Sequence, residues 1–205
     1  MIQLIIYRKG NLDKLANLIL IRHGETECNV NKIANGIKDI PLTCKGIEQG
    51  EKTALFLRKM DLENIVLWSS PLSRAINTAK MIGKTLEVGI TIKPELIERD
   101  FGRYEGTLLS EINWQLDSKE IEPSSSIFGR IAPLLDEIRE VEDKTFIMVT
   151  HSSIIRHFIY MTIGLDEQIS PTNCSITKII VDDFEMFKDS TFYNYDKHLK
   201  NNKDR

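Results

Sequence analysis

Leu18-Ile19-Leu20-Ile21-Arg22-His23-Gly24 is the stretch on which the fold turns. Four consecutive apolar residues stopped by charge read as a short buried strand. Its carboxyl end delivers an arginine and a histidine, and Gly24 lets the backbone turn tightly and a ligand approach closely. Working outward, Thr43 is placed to cap a helix running through Gln49 to about Lys59, with Ile47, Leu55 and Met60 on one stripe. Ile65 to Trp68 is a second strand, closed by Ser69, Ser70 and Pro71. Leu72 to about Leu86 reads as a helix, with Leu72, Ile76, Ala79 and Ile82 near helical spacing. Ile90 to Ile92 is a third strand, stopped by Pro94. Ile127 to about Val141 forms an amphipathic helix in which Pro133 calls for a late start or a kink. Thr145 to Val149 is the clearest strand, followed at once by a helix from His151 towards Met161. Cys174 to Val181 alternates like a final strand.

Strand and helix in this rhythm predict an α/β fold, a three-layer α/β/α sandwich around a mostly parallel sheet. The domain is expected to span residues 18–195, with an N-terminal extension over 1–17 and a loose charged tail over 196–205. The chain of 205 residues suits one domain that buries a core without disulfides or a structural metal. A net charge of -3 argues against a nucleic-acid surface. Three cysteines without a CxxC pair read as reduced thiols. No apolar run reaches the roughly 18 residues of a membrane helix, and the start of the chain is apolar before it is charged, the reverse of a secretory signal. A cytoplasmic location with no membrane partner is therefore expected.

In parallel sheets, ligands sit at the carboxyl ends of strands. Three such ends carry unusual polar residues: Arg22-His23, Ser69 to Arg74, and Thr150-His151. A neutral histidine is a competent nucleophile, and nearby arginines favour the neutral form. Arg74 offers planar donors matched to phosphate oxygens. His151 starts a helix whose first-turn amides suit an anion. His157, six residues on, points elsewhere on that helix, so a two-histidine metal pair is not expected. It reads as structural, and His198 as a tail residue. Glu98, in Ile-Glu-Arg-Asp-Phe-Gly, is a candidate proton donor. Asp100 and Glu105 share its loop, and the residues themselves do not choose among the three.

Together these stretches resemble the histidine phosphatase superfamily, the phosphoglycerate mutase-like family, over roughly Leu18 to Val181. The resemblance lies in Leu20-Ile21-Arg22-His23-Gly24-Glu25-Thr26-Glu27-Cys28-Asn29, in Gly36 to Thr43 with Gly46 and Gln49, in Ser70 to Ala79, in Glu98 with Phe101-Gly102 and Glu105-Gly106, and in Val149-Thr150-His151. It implies that His23 becomes phosphorylated, that Arg22, Arg74 and His151 hold the phosphoryl oxygens, and that Glu98 is the acid and base. It implies no metal and no other cofactor. Asn29 matches a residue contacting the phosphoryl group. Gly24, Thr26, Asn35, Gly36, Arg99 and Ser152 are further expected substrate contacts. Ser152 departs from the small residue, often Gly or Ala, usual in the family after the second histidine. The first 16 residues exceed the family's usual start and read equally as an added strand, a partner arm or an overlong start.

Family members are phosphatases or mutases on the same core residues. A mutase needs a larger covering segment between the acid and the second histidine, whereas Glu98 and His151 lie 53 positions apart here. Mutases also resemble one another in a lysine soon after the acid region, and Thr107-Leu108-Leu109-Ser110 has none. Both points favour hydrolysis of a small phosphorylated metabolite. The alternatives are phosphoglycerate mutase-type transfer and a non-catalytic family member that binds a phospho-ligand or a protein. Ile33, Asn35, Phe101, Tyr104, Ser124 to Ser126, Ser152 and Ser153 are the loop residues expected to choose the substrate. The oligomeric state, monomer or homodimer, stays open.

Overall fold

The computed structural model describes residues 16–114, 119–141, 143–164, 170–181 and 193–200. Among these, strands β1 (Ala16–Arg22), β2 (Ile65–Ser69), β3 (Ile90–Ile92), β4 (Thr145–Thr150) and β5 (Ile176–Val181) form one sheet in the order β3-β2-β4-β1-β5. β4 lies parallel between β1 and β2, β3 adds parallel to β2, and β5 closes the other edge antiparallel to β1.

The central strands read as continuous apolar runs because both faces are covered. Leu18, Leu20, Phe146 and Met148 pack with α4 (Ser124–Arg139) and α5 (Ser152–Ile163). The alternate residues Ile19, Ile21, Ile147 and Val149 pack with α2 (Cys44–Arg58) and α3 (Ser73–Leu86). The result is the expected α/β/α sandwich. Leu18, Ile19, Leu20 and Ile21 are all fully buried, each side chain stabilising the fold by about 1.5–3 kcal/mol. A four-residue α1 (Glu27–Val30) follows the first strand.

Several boundaries and faces differ from the sequence expectation. Residues 16 and 17 belong to β1 rather than to an extension, because strand pairing with β4 and β5 reaches them; residues 1–15 lie outside the described residues. Thr43 does cap α2, its hydroxyl accepting from the Gly46 amide at 3.0 Å. Ile47 and Leu55 are exposed, however, and the inward face is Gly46, Gly50, Thr53, Ala54 and Leu57. Small residues let α2 approach α3 and the loop after β1 closely, so the apolar stripe was the wrong guide. Along α3 the inward face is Arg74, Ala75, Thr78, Ala79, Ile82 and Gly83, with Ile76 only half-buried. Helix α4 starts at Ser124, earlier than expected, and carries Pro133 inside it. The buried Ile127, Ile131, Leu134, Leu135 and Ile138 hold that helix, which outweighs the roughly 3 kcal/mol a central proline costs.

The segment from Tyr193 to Lys200 is docked against α2, which corrects the expectation of a loose tail for residues 196–200; residues 201–205 lie outside the described residues. Tyr195 pairs with Ile176 by two backbone hydrogen bonds. His198 stacks on Phe56 with ring centroids 4.9 Å apart, and its Nε2 meets the Thr53 hydroxyl at 2.9 Å. Burial lowers the pKa of His198 from 6.5 to about 4. A depressed histidine stabilises the fold above its unfolded pKa, and that contribution is lost as pH falls through the window from 6.5 towards 4. The loss of Tm between pH 7 and pH 5, measured calorimetrically, should be smaller in His198→Phe than in the native chain.

Candidate active site

Each functional side chain sits where a strand gives way to a loop or helix. β1 ends at Arg22, with His23 immediately after it, β2 leads through Ser70 to Arg74 in the first turn of α3, β3 leads to Glu98, and β4 leads to His151 at the cap of α5. Because β1, β2 and β4 are parallel neighbours, these ends meet on one edge of the sheet. The rings of His23 and His151 have centroids 5.1 Å apart and are tilted by 57°. Both are buried, as are Arg74 and Glu98.

The hydrogen bonds of His23 set its tautomer. Its backbone amide donates to the Thr150 carbonyl at 2.9 Å, tying β1 to β4. Its Nδ1 lies 2.7 Å from the Gly24 carbonyl. A carbonyl only accepts, so Nδ1 carries the proton and Nε2 keeps a lone pair. Burial holds the His23 pKa well below its ordinary value, with Arg74 and Arg22 acting in the same direction. The arginines were expected to neutralise the ring, but desolvation comes first. His151 is depressed in the same way, by burial and then by Arg74. Its Nε2 meets the Ser70 hydroxyl at 2.7 Å, and its Nδ1 has no partner among the described residues.

Arg74 is fully buried, not the surface helix residue that an isolated arginine suggests. Its two Nη atoms donate to the carbonyls of Lys38 at 2.7 Å and Gly36 at 2.6 Å. With its amide oriented to satisfy both of its polar ends, Asn35 also accepts from Arg74 Nη1 at 3.2 Å. Asn35 and Gly36 thus hold the guanidinium. Arg22 donates to the Pro171 carbonyl at 2.6 Å. The Nε atoms of both arginines are buried without a partner among the described residues. Burial pulls both arginines below their ordinary range while the nearby Glu98 pushes the other way.

Glu98 accepts from its neighbour's amide, Arg99 N, at 2.8 Å on Oε1 and faces Ser153 N at 3.5 Å on Oε2. Burial raises its pKa above the usual carboxylate range, against the opposing pull of the Arg99 amide and of Arg74 and Arg22. Its two rivals are engaged elsewhere. Asp100 accepts from Gly102 N at 2.7 Å, and Glu105 accepts from the amides of Gly36, Ile37 and Phe101. Of the three carboxylates only Glu98 is buried, a difference the residue types alone did not show.

The loop after β1 is clamped from below. A Cβ on Gly24 would run into the Gly46 carbonyl, and a Cβ on Gly46 into the Glu25 carbonyl. Gly24 has no positive φ, so glycine serves here for the close passage of α2 rather than for the tight turn expected of it. Its amide donates to Thr78 Oγ1 at 3.0 Å. Thr26 is buried at the cap of α1, its amide donating to Asn29 Oδ1 at 3.0 Å. Asn173, absent from the expectations, donates both to that oxygen at 2.9 Å and to the His23 carbonyl at 3.0 Å. Ser70 was passed over as a strand terminator. Both follow the end of a strand or precede one, a position that carried weight elsewhere. Ser152 is half-buried and shares a 2.7 Å hydrogen bond with Ser170. Arg99 is half-buried and donates through Nε to the Glu122 carbonyl at 2.6 Å.

Paired imidazoles, the guanidinium groups of Arg22 and Arg74 and one buried carboxyl thus meet at the strand ends of an α/β/α sandwich. The chain belongs to the histidine phosphatase superfamily (branch 1), which it matches over residues 18–189. It is 28% identical over 188 residues to an uncharacterized phosphatase, PhoE, of Bacillus subtilis, covering 88% of this chain and 95% of that one. It is 31% identical over 179 residues to a 2,3-bisphosphoglycerate-dependent phosphoglycerate mutase of Thermoplasma acidophilum, covering 80% and 86%. The structure of a phosphoserine phosphatase from Entamoeba histolytica, in complex with 3-phosphoglyceric acid, superposes with a TM-score of 0.73 at 28% identity, covering 90% of this chain and all of that one. Relatives of both kinds support a phosphoryl-transfer enzyme. No described helix is long and apolar enough to cross a membrane, and no cluster of three or more metal-ligating side chains occurs among the described residues.

The crossing of Gly24 and Gly46 gives a test. Gly46→Ala should destabilise the fold by about 1–3 kcal/mol in urea unfolding, since backbone must move, and should lower activity by displacing His23. Gly129→Ala, in α4 where a Cβ meets nothing, should instead stabilise by about 0.5–1 kcal/mol.

Proposed function

We propose that the chain is a metal-independent phosphatase that hydrolyses a phosphate monoester of a small metabolite through a phosphohistidine on His23. The observation carrying this reading is the buried His23, whose Nδ1 is held by the Gly24 carbonyl and whose pKa lies well below its ordinary value, beside the buried Arg74, the half-buried Arg22 and a buried Glu98 with a raised pKa.

In the first step the Nε2 lone pair forms a bond to phosphorus as the bond from phosphorus to the ester oxygen breaks. The leaving oxygen takes the Glu98 proton and departs as an alcohol. The Gly24 carbonyl, accepting from His23 Nδ1–H, offsets the positive charge that develops on the ring. Arg22, Arg74 and His151 Nδ1 face the equatorial oxygens, where fixed donors act most strongly in a site shielded from water. In the second step Glu98, now a carboxylate, takes a proton from water. The water oxygen attacks phosphorus, the N–P bond breaks, and the electron pair returns to Nε2. Inorganic phosphate leaves and Glu98 is again protonated. The cationic side chains supply the charge stabilisation that a divalent cation supplies elsewhere.

A raised Glu98 pKa keeps the acid protonated at pH values where an ordinary carboxylate would be ionised, and a lowered His23 pKa keeps the nucleophile neutral well into the acid range. The two shifts widen the active window from both sides.

The test is release of phosphate from p-nitrophenyl phosphate and from alkyl phosphates. Activity should be unchanged by EDTA and abolished, together with the acid-labile phosphoenzyme, in His23→Ala. Glu98→Gln should slow alkyl esters by roughly 10²-fold and remove the basic limb of the pH profile. A full rate in Glu98→Gln would reassign the acid. The similarity to a mutase of Thermoplasma acidophilum motivates a control: activity that appears only with added 2,3-bisphosphoglycerate, with isomerised product, would replace hydrolysis by mutase-type transfer.

A further inference from the structure

Ser70 follows β2 directly and is fully buried at the strand ends. Its backbone is fixed from both sides. The amide donates to the Val149 carbonyl of β4 at 3.0 Å, and the carbonyl accepts from the Ser69 hydroxyl at 2.9 Å. The side chain is held as well, because Oγ accepts from the Leu72 amide, two residues on, at 3.4 Å. The same Oγ lies 2.7 Å from Nε2 of His151, the cap residue of α5. Pairing of β2 with β4 brings residues 70 and 151 together, so the sheet itself sets this contact.

A hydroxyl offers one hydrogen and two lone pairs. One lone pair of Ser70 takes the Leu72 N–H. Its hydrogen has one acceptor among the described residues, His151 Nε2. If Nε2 carried the ring hydrogen instead, the hydroxyl would accept twice, and its own hydrogen would be buried with nothing to meet. A buried donor left unpaired costs more than a made hydrogen bond gains, so the bond is favoured in the direction from Ser70 to the ring. Burial and then the charge of Arg74 disfavour the imidazolium form of His151, which leaves the ring a single hydrogen. With Nε2 accepting, that hydrogen belongs to Nδ1. Nδ1 is the nitrogen buried without a partner among the described residues.

The two imidazoles then share a tautomer and have opposite tasks. His23 gives its Nδ1–H to the Gly24 carbonyl and keeps a free lone pair on Nε2. His151 has its Nε2 lone pair occupied by Ser70 and keeps a free Nδ1–H. The ring centroids are 5.1 Å apart, so a nucleophile and a donor stand side by side. A bare Nδ1 would instead turn a lone pair towards phosphoryl oxygens and repel them.

We propose that Ser70 is a positioning residue that donates its hydroxyl hydrogen to His151 Nε2, locks the ring hydrogen on Nδ1, and so makes the second histidine a neutral hydrogen-bond donor for the phosphoryl group. The place of the hydrogen is a property of the resting protein. Its consequence for turnover rests on the hydrolytic reading above.

The experiment is nitrogen NMR at neutral pH on the full chain labelled at its histidine ring nitrogens, since a nitrogen bearing hydrogen and a bare one resonate far apart. The chain has four histidines, and the signals of His151 are those missing from His151→Asn. The expected native ring has hydrogen on Nδ1 and a bare Nε2. Ser70→Ala should move the hydrogen towards Nε2, the form that neutral imidazole side chains favour in water, a change that lost stability alone does not produce. In the same variant kcat on p-nitrophenyl phosphate should fall by about tenfold or more, approaching the roughly 10²-fold cost of removing an oxyanion donor outright. Hydrogen on Nε2 of the native ring overturns the proposal, whether or not any variant folds. So does a Ser70→Ala ring that keeps its hydrogen on Nδ1, or a full kcat in that variant. Ser70→Cys, close in size and a weaker donor, carries the same comparison if the alanine variant does not fold. If p-nitrophenyl phosphate is not turned over, hydrolysis fails while the tautomer is still decided by the spectra. The calorimetric Kd for inorganic phosphate then replaces kcat: it should weaken about tenfold in Ser70→Ala, and an unchanged Kd overturns the donor role.

Discussion

Burying positive charge without neutralising it is the constraint around which this molecule is built. Arg74 is withdrawn from water completely, yet its Nη groups meet carbonyl oxygens of Lys38 and Gly36 rather than a carboxylate. Arg22 likewise rests on the Pro171 carbonyl. A carbonyl dipole solvates a cation and leaves its charge available to a ligand, whereas an ion pair would cancel it. The same low-dielectric setting disfavours the charged form of both histidines and raises the pKa of Glu98. In the proposed reaction, one environment prepares the nucleophile, the acid and the anion cage together. Three nitrogens at its centre, the two arginine Nε atoms and His151 Nδ1, lack partners among the described residues. Each buried polar group left unpaired costs about 1–3 kcal/mol, a cost that the proposed phosphoryl ligand would offset.

The carbonyls that solvate Arg74 come from the segment between α1 and α2, and that segment is positioned by backbone packing. Gly24 and Gly46 pass so closely that neither accepts a side chain. Thr43 ties back to Glu25 through its amide and hydroxyl, and the Glu25 amide donates to Gln49 at 2.9 Å. The loop bearing His23 is thereby braced on helix α2 as well as on the sheet. The fully buried face of α2 is correspondingly made of glycine, threonine and alanine around Leu57. The order β3-β2-β4-β1-β5 then places the ends of β1, β4 and β2 side by side, so residues more than a hundred positions apart share one pocket.

How much of this was legible follows from the range of each signal. The strand Leu18 to Ile21 and the strand Thr145 to Thr150 declare themselves because a strand covered on both faces has to be apolar throughout. Helix faces were less legible: Ile47 and Leu55 looked like an inward stripe but are exposed, because close approach of α2 selects small residues instead. Ser153 was expected near a substrate, but Arg156, His157 and Tyr160 on the same face of α5 were not, since alone such a stripe resembles any solvated helix face. Ser124, Phe128 and Arg99, brought from elsewhere in the chain, turn it into the wall of a cavity. His198 sits in a charged terminal run that suggests looseness, and its stacking on Phe56 is a contact that no local pattern encodes.

The amino-acid order by itself determined the strand-and-helix rhythm, the α/β/α class, and the identity of the five residues at the strand ends, because burial periodicity and the motifs are local. Tertiary structure alone decided which nitrogen of His23 carries the proton, that Glu98 and not Asp100 or Glu105 is the buried carboxyl, and that small residues and not the apolar stripe form the inner face of α2. Those outcomes depend on desolvation and on hydrogen bonds between distant segments, and both exist only once the chain has closed around them.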